Sequence, residues 1–159
     1  MPDVDFGEMT AEDRANIDRL AAAEPREAEM LRILGNRPDM IKPYMNYYEE
    51  LVYGGLLELS VKQAAREEIF RLAGAGGRQD PFDPEPSVDG IVDARIATAI
   101  KYANGMARSY QSTGDNEDLR LELESAFSRE EVVELGMVVG GTLAMRRFSA
   151  VLGRRIESV

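Results

Sequence analysis

The sequence predicts an all-α fold in which short connections join successive helices. One stretch predicts a helix by its apolar spacing, with residues at steps of four, four and three: Val61, Ala65, Ile69 and Leu72. A second stretch predicts a helix start, because Ser128 and Glu131 have the spacing of a capping box. The length of 159 residues suits a single domain over residues 1–159 that buries its own core.

The first part of the chain predicts two short helices after a segment without periodicity. We expect residues 1–9 to be mobile or to cross onto a neighbouring subunit. Thr10 is placed to cap the first helix, which carries a narrow apolar seam around Ile17. Pro25 fits the first turn of the second helix, and Gly35 ends that helix.

A third helix is predicted from about Met40 to Tyr53, with Pro43 tolerated in its first turn. Tyr44, Tyr47 and Tyr48 then share an aromatic face. One interpretation packs these rings in the core with their hydroxyls at its boundary. The other directs the hydroxyl of Tyr44 or Tyr47 into a ligand pocket.

The central helix begins at Ser60, which is placed to act as its N-cap. Gln63, Glu67 and Arg71 are four residues apart, so they share a polar face opposite the apolar stripe. Residues 74–90 follow the helix with glycines, three prolines and no periodicity, which predicts a long loop. Such a loop is either a functional lid or a disordered segment.

The remaining helices are predicted at residues 89–110 and 117–127, with a turn at 111–116 between them. Asp93 and Arg95 are interpreted as charges that face solvent.

The last helix, after the capping box, is apolar on almost every side. A helix of this kind is buried on all sides, either within the subunit or between subunits. Arg146 and Arg147 interrupt the apolar run, and we expect one of them to lie near the interior. Its charge then needs the carboxylate of Glu67 or Asp93, or the anion of a ligand.

Three stretches carry a resemblance to a known family: RLAGAGGR, IKPYMNYYEELVYGGLLELS and FSREEVVELGMVVGGTLAMRRFSAVLG. They resemble the carboxymuconolactone decarboxylase and alkylhydroperoxidase D-like family over residues 30–155. The resemblance implies an alkylhydroperoxidase D-like helical bundle that assembles into trimers or hexamers, with dimers as a further possibility. The family's glutamate and two cysteines correspond to Gln63, Ala75 and Arg78 in this chain, and no histidine exists to match the family's histidine.

The chain has no cysteine, so it cannot supply the thiolate that a disulfide-exchange cycle requires. The absence of both cysteine and histidine also makes a zinc or soft transition-metal site improbable, and no cofactor is expected. The formal net charge of -10 argues against nucleic acid and anionic membrane surfaces as partners. We expect a cytoplasmic protein, because the sequence begins with acidic residues and shows no signal peptide.

Two hypotheses about function follow. In the first, the protein is a lyase or isomerase that uses acid–base chemistry on a small organic acid or lactone-like ligand. Glu67 is its proton carrier, and Gln63 orients a carbonyl. Substrate contacts are expected from four residues: Tyr44, Tyr47, Arg71 and Arg146. In the second hypothesis, the protein is a non-catalytic family member that binds a small molecule or acts in assembly.

Overall fold

The computed structural model describes residues 10–23, 28–72 and 93–156 of the chain. Within these ranges the secondary structure is helical and contains no strand, which confirms the all-α prediction. The helices are α1 (Ala11–Ala23), α2 (Ala28–Leu34), α3 (Pro38–Tyr53), α4 (Leu59–Leu72), α5 (Ala94–Arg108), α6 (Tyr110–Gly114), α7 (Glu117–Ala126) and α8 (Arg129–Ile156). Three features predicted from the sequence lie outside the described residues: the segment 1–9, Pro25 and the loop 74–90.

The chain divides into two compact units, the first formed by residues 1–49 with 145–159 and the second by residues 50–144. The division falls inside α3 and inside α8. The first part of α3 and the last part of α8 belong to the first unit, and the remaining parts of both helices belong to the second unit. In the first unit the buried apolar residues form a small core: Ile17, Met30, Leu31, Ile41 and Met45.

The second unit holds the larger core, to which α4, α5, α7 and the first part of α8 contribute. Its buried apolar residues are Leu57, Val61, Ala65, Ile69, Ala99, Ala103, Leu119, Leu123, Phe127, Leu135 and Val139. The apolar stripe predicted on the central helix lies on the buried side of α4, because Val61, Ala65, Ile69 and Leu72 are all buried. Small residues on α5 contribute to the same core, since Ala99 and Ala103 are fully buried.

Local hydrogen bonds fix several helix ends where the sequence predicted them. The capping box is confirmed: the hydroxyl of Ser128 accepts from the backbone N–H of Glu131 at 3.2 Å, and the Glu131 carboxylate accepts from the Ser128 N–H at 2.8 Å. Gly35 follows the end of α2 and donates its N–H to Leu31 O at 3.1 Å. At α5 the predicted start was wrong: Asp93 is the cap, because its carboxylate accepts from the backbone N–H of Arg95 at 2.9 Å, and the helix begins at Ala94 and not at residue 89.

Two further predicted boundaries were wrong. The helix α4 begins at Leu59, so Ser60 lies inside its first turn rather than at the cap position. The stretch predicted as a turn at 111–116 contains the short helix α6, which Ser109 caps. The hydroxyl of Thr113 donates to Ser109 O at 2.8 Å, and these side-chain bonds stabilise one helical turn that has no apolar periodicity to reveal it.

Candidate functional site

Helix α4 carries charged side chains on the side that faces the core of the second unit. Lys62, Arg66 and Glu68 are buried there beside the apolar stripe. Burial of a charged group costs free energy unless hydrogen bonds and an opposite charge offset the lost hydration. The partners of these side chains therefore define what the site does.

The ammonium group of Lys62 lies beneath the connection between α3 and α4, and its side chain is 0% exposed. Its Nζ donates to Leu51 O at 3.1 Å and also to Gly54 O, and it forms an ion pair with Glu134 of α8. Leu51 belongs to the last turn of α3, whose carbonyl groups have no intrahelical partner. Lys62 therefore caps the carbonyl end of α3 and uses the three donors that an ammonium group has.

The carboxylate of Glu134 binds the same connection from the other side. It accepts from the backbone N–H of Leu56 at 2.6 Å and from that of Leu57 at 3.3 Å. Gly55 directly precedes Leu56 in this connection and has a φ of 81°. A Cβ atom built on Gly55 would lie 2.2 Å from Glu134 Oε1. Glycine is needed here both for the left-handed backbone conformation and for the close approach of the carboxylate.

The ionised form of Glu134 is favoured in this environment. Burial raises the pKa of its carboxyl. The hydrogen bonds from Lys62 and from the backbone N–H groups of Leu56 and Leu57 together lower that pKa by more than burial raises it, so the net shift is downward. Glu134 is therefore charged at neutral pH, and its contact with Lys62 holds the α3–α4 connection against α8.

The buried carboxylate of α4 belongs to Glu68, which lies further along the helix than Lys62. Asn104 of α5 donates its amide to Glu68 Oε1 at 2.6 Å. The guanidinium of Arg71 binds both carboxylate oxygens of Glu68, each at 2.8 Å. This bidentate geometry is the strongest form of the arginine–carboxylate pair. Glu68 thus joins α4 to α5, and Arg71 supplies the counter-charge from the exposed side.

A third network surrounds Arg95 at the start of α5. Its guanidinium donates to Glu131 Oε1 at 2.7 Å, to Glu58 Oε2 at 2.9 Å and to Ala126 O at 2.9 Å. The same group lies 4.7 Å from the centre of the Phe127 ring, within range of a cation–π contact. Arg95 had been interpreted as a charge facing solvent, and that interpretation was wrong.

These contacts shift the pKa values of both partners in directions that maintain the charges. The hydrogen bond to Glu131 is the main cause that raises the pKa of Arg95. The same bond, followed by the one from the Ser128 backbone, lowers the pKa of Glu131. Glu131 therefore serves the capping box and the Arg95 network together.

The predicted catalytic residues lie on the other side of α4. Gln63, Glu67 and Arg71 are exposed along one face, as their spacing indicated. Arg71 is engaged by the carboxylate of Glu68, which sequence reasoning did not single out. The spacing of Glu68 in the sequence does predict its burial, because it lies seven residues, or two helical turns, after Val61 and therefore on the same side of the helix.

The other predicted substrate-binding residues belong to the first unit. Tyr44 is half-buried and Tyr47 is exposed, whereas Tyr48 is buried. The rings of Tyr44 and Tyr48 lie 5.9 Å apart between centroids and are tilted by 34°. The burial of Tyr48 agrees with the packing interpretation, whereas Tyr47 is exposed. Arg146 is half-buried and Arg147 is exposed, so Arg146 is the arginine nearer the interior.

Helix α8 exposes apolar side chains, so of the two predicted alternatives, burial within the subunit on all sides is not what the single chain shows. Val133 is 68% exposed and Met137 is 49% exposed, while Leu135, Val138 and Val139 on the other side are fully buried. The segment 129–152 is long and apolar enough to cross a membrane by length and composition alone. Burial between subunits remains a prediction.

The described residues contain no group of three or more histidine, cysteine, aspartate or glutamate side chains that is arranged to hold a metal ion. Comparison with protein-family models, with curated proteins and with solved structures finds no match for the chain.

Proposed function

We propose that this protein is a non-catalytic interaction protein, and that another protein chain covers the exposed apolar side of α8. The single observation that supports the proposal is the exposure of Val133 and Met137 on a helix whose opposite side is fully buried. Contiguous apolar surface of this kind commonly marks a protein–protein contact. In this proposal the chain is a divergent, cytoplasmic member of the carboxymuconolactone decarboxylase and alkylhydroperoxidase D-like family and keeps the family's helical bundle.

The arrangement of the buried charges supports the same proposal. Lys62 is bonded to Glu134 and two backbone carbonyls, and Glu68 is bonded to Asn104 and Arg71. Each of these buried charged groups therefore has protein partners that hold α4 against its neighbours, which is a structural role.

The experiment compares the oxidation of two methionines inside cells that express the protein. Met137 and Met40 have similar exposure in the isolated chain, 49% and 46%. Cells are treated briefly with hydrogen peroxide, and sulfoxide at each position is measured by mass spectrometry. We expect Met137 to oxidise several-fold more slowly than Met40. Equal rates contradict the proposal, as does recovery of the protein in the membrane fraction with lipid covering α8.

A second candidate is acid–base catalysis on a small organic acid or lactone-like substrate. The observation that favours it is the accessibility of Gln63, Glu67 and Arg71 along one face of α4. In this candidate Glu67 carries the proton, Gln63 orients a carbonyl and Arg71 contacts the substrate.

Turnover of a panel of lactones and enolisable acids tests the catalytic candidate. The Glu67→Gln variant is expected to lose activity roughly 100-fold or more, the usual share of a general acid or base. Glu12→Gln, at an exposed position on α1, is the matched control. Equal rates for the wild type and Glu67→Gln remove Glu67 from the mechanism.

A further inference from the structure

We infer that the partner on α8 is a second copy of this chain, and that the two α8 helices pack antiparallel about a two-fold axis between residues 138 and 139. This inference rests on the proposed function, because it names the chain that covers the exposed apolar side. The residues involved lie along α8 at steps of three, four, three, four and three: Glu130, Val133, Met137, Gly140, Ala144 and Arg147.

This set, called here the α8 seam, has the spacing of a coiled-coil contact line. Five of its six residues are exposed, and Gly140 is half-buried. A Cβ atom built on Gly140 would meet no atom within 4 Å, so the surface above this glycine is open. The seam is therefore a line of five exposed positions and one half-buried glycine, and the surface above that glycine has room for a neighbouring side chain.

The chemistry of the seam is self-complementary in one direction only. In the antiparallel arrangement Met137 of one chain faces Gly140 of the other, and a long side chain enters an open position. Val133 faces Ala144, which again sets a larger side chain against a smaller one. At the outer ends Glu130 faces Arg147, so that two symmetry-related ion pairs flank the apolar centre.

A parallel arrangement brings identical residues together. It opposes Glu130 to Glu130 and Arg147 to Arg147, and like charges at close range disfavour association. It also places the Met137 side chains against one another and leaves the two Gly140 positions without packing. Charge and side-chain size therefore select the antiparallel arrangement.

Lipid is the other candidate for covering α8, and two observations disfavour it. The Glu134 carboxylate is bonded to Lys62 and to the α3–α4 connection, so this part of the helix is fixed in the second unit. Leu135 and Val139 belong to the apolar core of the same unit. Insertion in a bilayer would break those contacts and bring both Glu130 and Arg147 toward hydrocarbon.

Charge reversal tests the arrangement with the purified full-length chain. The dissociation constant of the dimer is measured by sedimentation equilibrium. Glu130→Arg and Arg147→Glu are each expected to raise it about tenfold, because each change creates two like-charge contacts. The double variant restores both ion pairs with reversed polarity and is expected to return the constant to within about threefold of the wild-type value.

Two exposed charges outside the seam serve as matched controls, Asp118→Arg on α7 and Arg14→Glu on α1. They change the net charge in the same two directions and are expected to leave the dissociation constant unchanged. Far-UV circular dichroism verifies that every variant keeps its helix content. Weakening by the controls to the same degree, or no recovery in the double variant, overturns the antiparallel arrangement.

Engineered cysteines test the direction of packing independently, since the natural chain contains none. An oxidised mixture of Val133→Cys and Ala144→Cys chains is expected to yield the mixed disulfide dimer. Val133→Cys alone is expected to stay uncrosslinked, and a Val133→Cys homodimer disulfide indicates parallel packing and overturns the inference. A chain that stays monomeric at all concentrations also overturns the inference. Slow oxidation of Met137 in cells would in that case still support the proposed function, with a different protein as the partner.

Discussion

Replacement of Glu134 by glutamine is expected to destabilise the protein by about 3–5 kcal/mol, the usual cost of removing one partner from a buried ion pair. The substitution keeps the size of the side chain and an oxygen that accepts a hydrogen bond. It removes the negative charge that offsets the buried ammonium of Lys62. The lysine side chain is 0% exposed, so water cannot replace the lost partner without rearrangement.

The contacts that remain place the expected cost toward the lower end of that range. The ammonium group keeps its bonds to Leu51 O and Gly54 O, so only one of its three bonds weakens. The glutamine amide also keeps one acceptor for the N–H of Leu56 but has a single oxygen where the carboxylate had two. An expected loss of about 3 kcal/mol lowers the melting temperature by roughly 6–12 °C in a protein of this size.

The matched control is Glu122→Gln. Glu122 binds Lys101 at 2.8 Å, but the side chains of that pair are 41% and 39% exposed. Ion pairs with this much solvent contact are commonly worth less than about 1 kcal/mol, so the control is expected to cost little. The two substitutions remove the same chemical group, in one case from a buried lysine and two backbone N–H groups and in the other from an exposed lysine.

Equilibrium unfolding in urea, followed by far-UV circular dichroism, measures both free energies. A double-mutant cycle of Glu134→Gln with Lys62→Met measures the interaction between the two side chains. The double variant removes both charges, so its loss of stability is expected to be smaller than the sum of the two single losses by about 1–3 kcal/mol. Equal losses for Glu134→Gln and Glu122→Gln would refute the assignment of a buried pair. Additive losses within about 0.5 kcal/mol in the cycle would refute the coupling.

The same pair predicts a dependence of stability on pH. The folded-state pKa of Glu134 is lowered, so its contribution is fully present above the ordinary glutamate pKa of about 4.3 and is lost as the pH falls through the folded-state value. The stability difference between wild type and Glu134→Gln is therefore expected to be constant above about pH 5 and to shrink below about pH 4. A difference that grows on acidification would contradict the sign of the pKa shift.

Three smaller predictions test the surrounding structure by the same unfolding assay. Gly55→Ala is expected to lower the free energy of unfolding by more than about 1 kcal/mol, because the residue has a φ of 81° and its Cβ would meet a carboxylate oxygen. Its control is Gly114→Ala, whose Cβ would meet no atom within 4 Å, and this change is expected to be neutral or stabilising. Ser128→Ala is expected to cost about 1 kcal/mol by removing a cap, and a change below about 0.3 kcal/mol would contradict that role. Arg95→Met is expected to cost about 1–2 kcal/mol, since it removes hydrogen bonds to two carboxylates and one carbonyl, and a neutral effect would show that these bonds contribute nothing.

The fold class and most helix positions were predictable because they depend on local patterns. The stripe that begins at Val61 identifies the buried side of α4, and the capping box at Ser128 locates the start of α8. The short helix α6 was missed for the same physical reason. Side-chain hydrogen bonds around Ser109 stabilise it, and an apolar periodicity does not mark it.

The charged contacts were not predictable, because their partners are distant in sequence. Glu134 lies 78 residues from Leu56, and Arg95 lies 36 residues from Glu131. A lysine beside an apolar stripe commonly extends its stem along the surface and keeps its ammonium in water. Lys62 departs from this behaviour only because the end of α3 and the Glu134 carboxylate meet above it, and helix packing alone creates that meeting.

The prediction of a site on α4 depended on which of two neighbouring glutamates, Glu67 or Glu68, is exposed and which is buried. Successive residues of a helix are rotated by about 100°, so Glu67 and Glu68 face different surroundings although the sequence makes them look equivalent. The stripe of Val61, Ala65, Ile69 and Leu72 defines one direction, and Glu68 lies within it while Glu67 lies outside. Sequence reasoning selected the exposed glutamate through its spacing from Gln63 and Arg71. In the structure the buried glutamate, Glu68, accepts hydrogen bonds from Asn104 and Arg71, so it links α4 to α5 and contributes to packing.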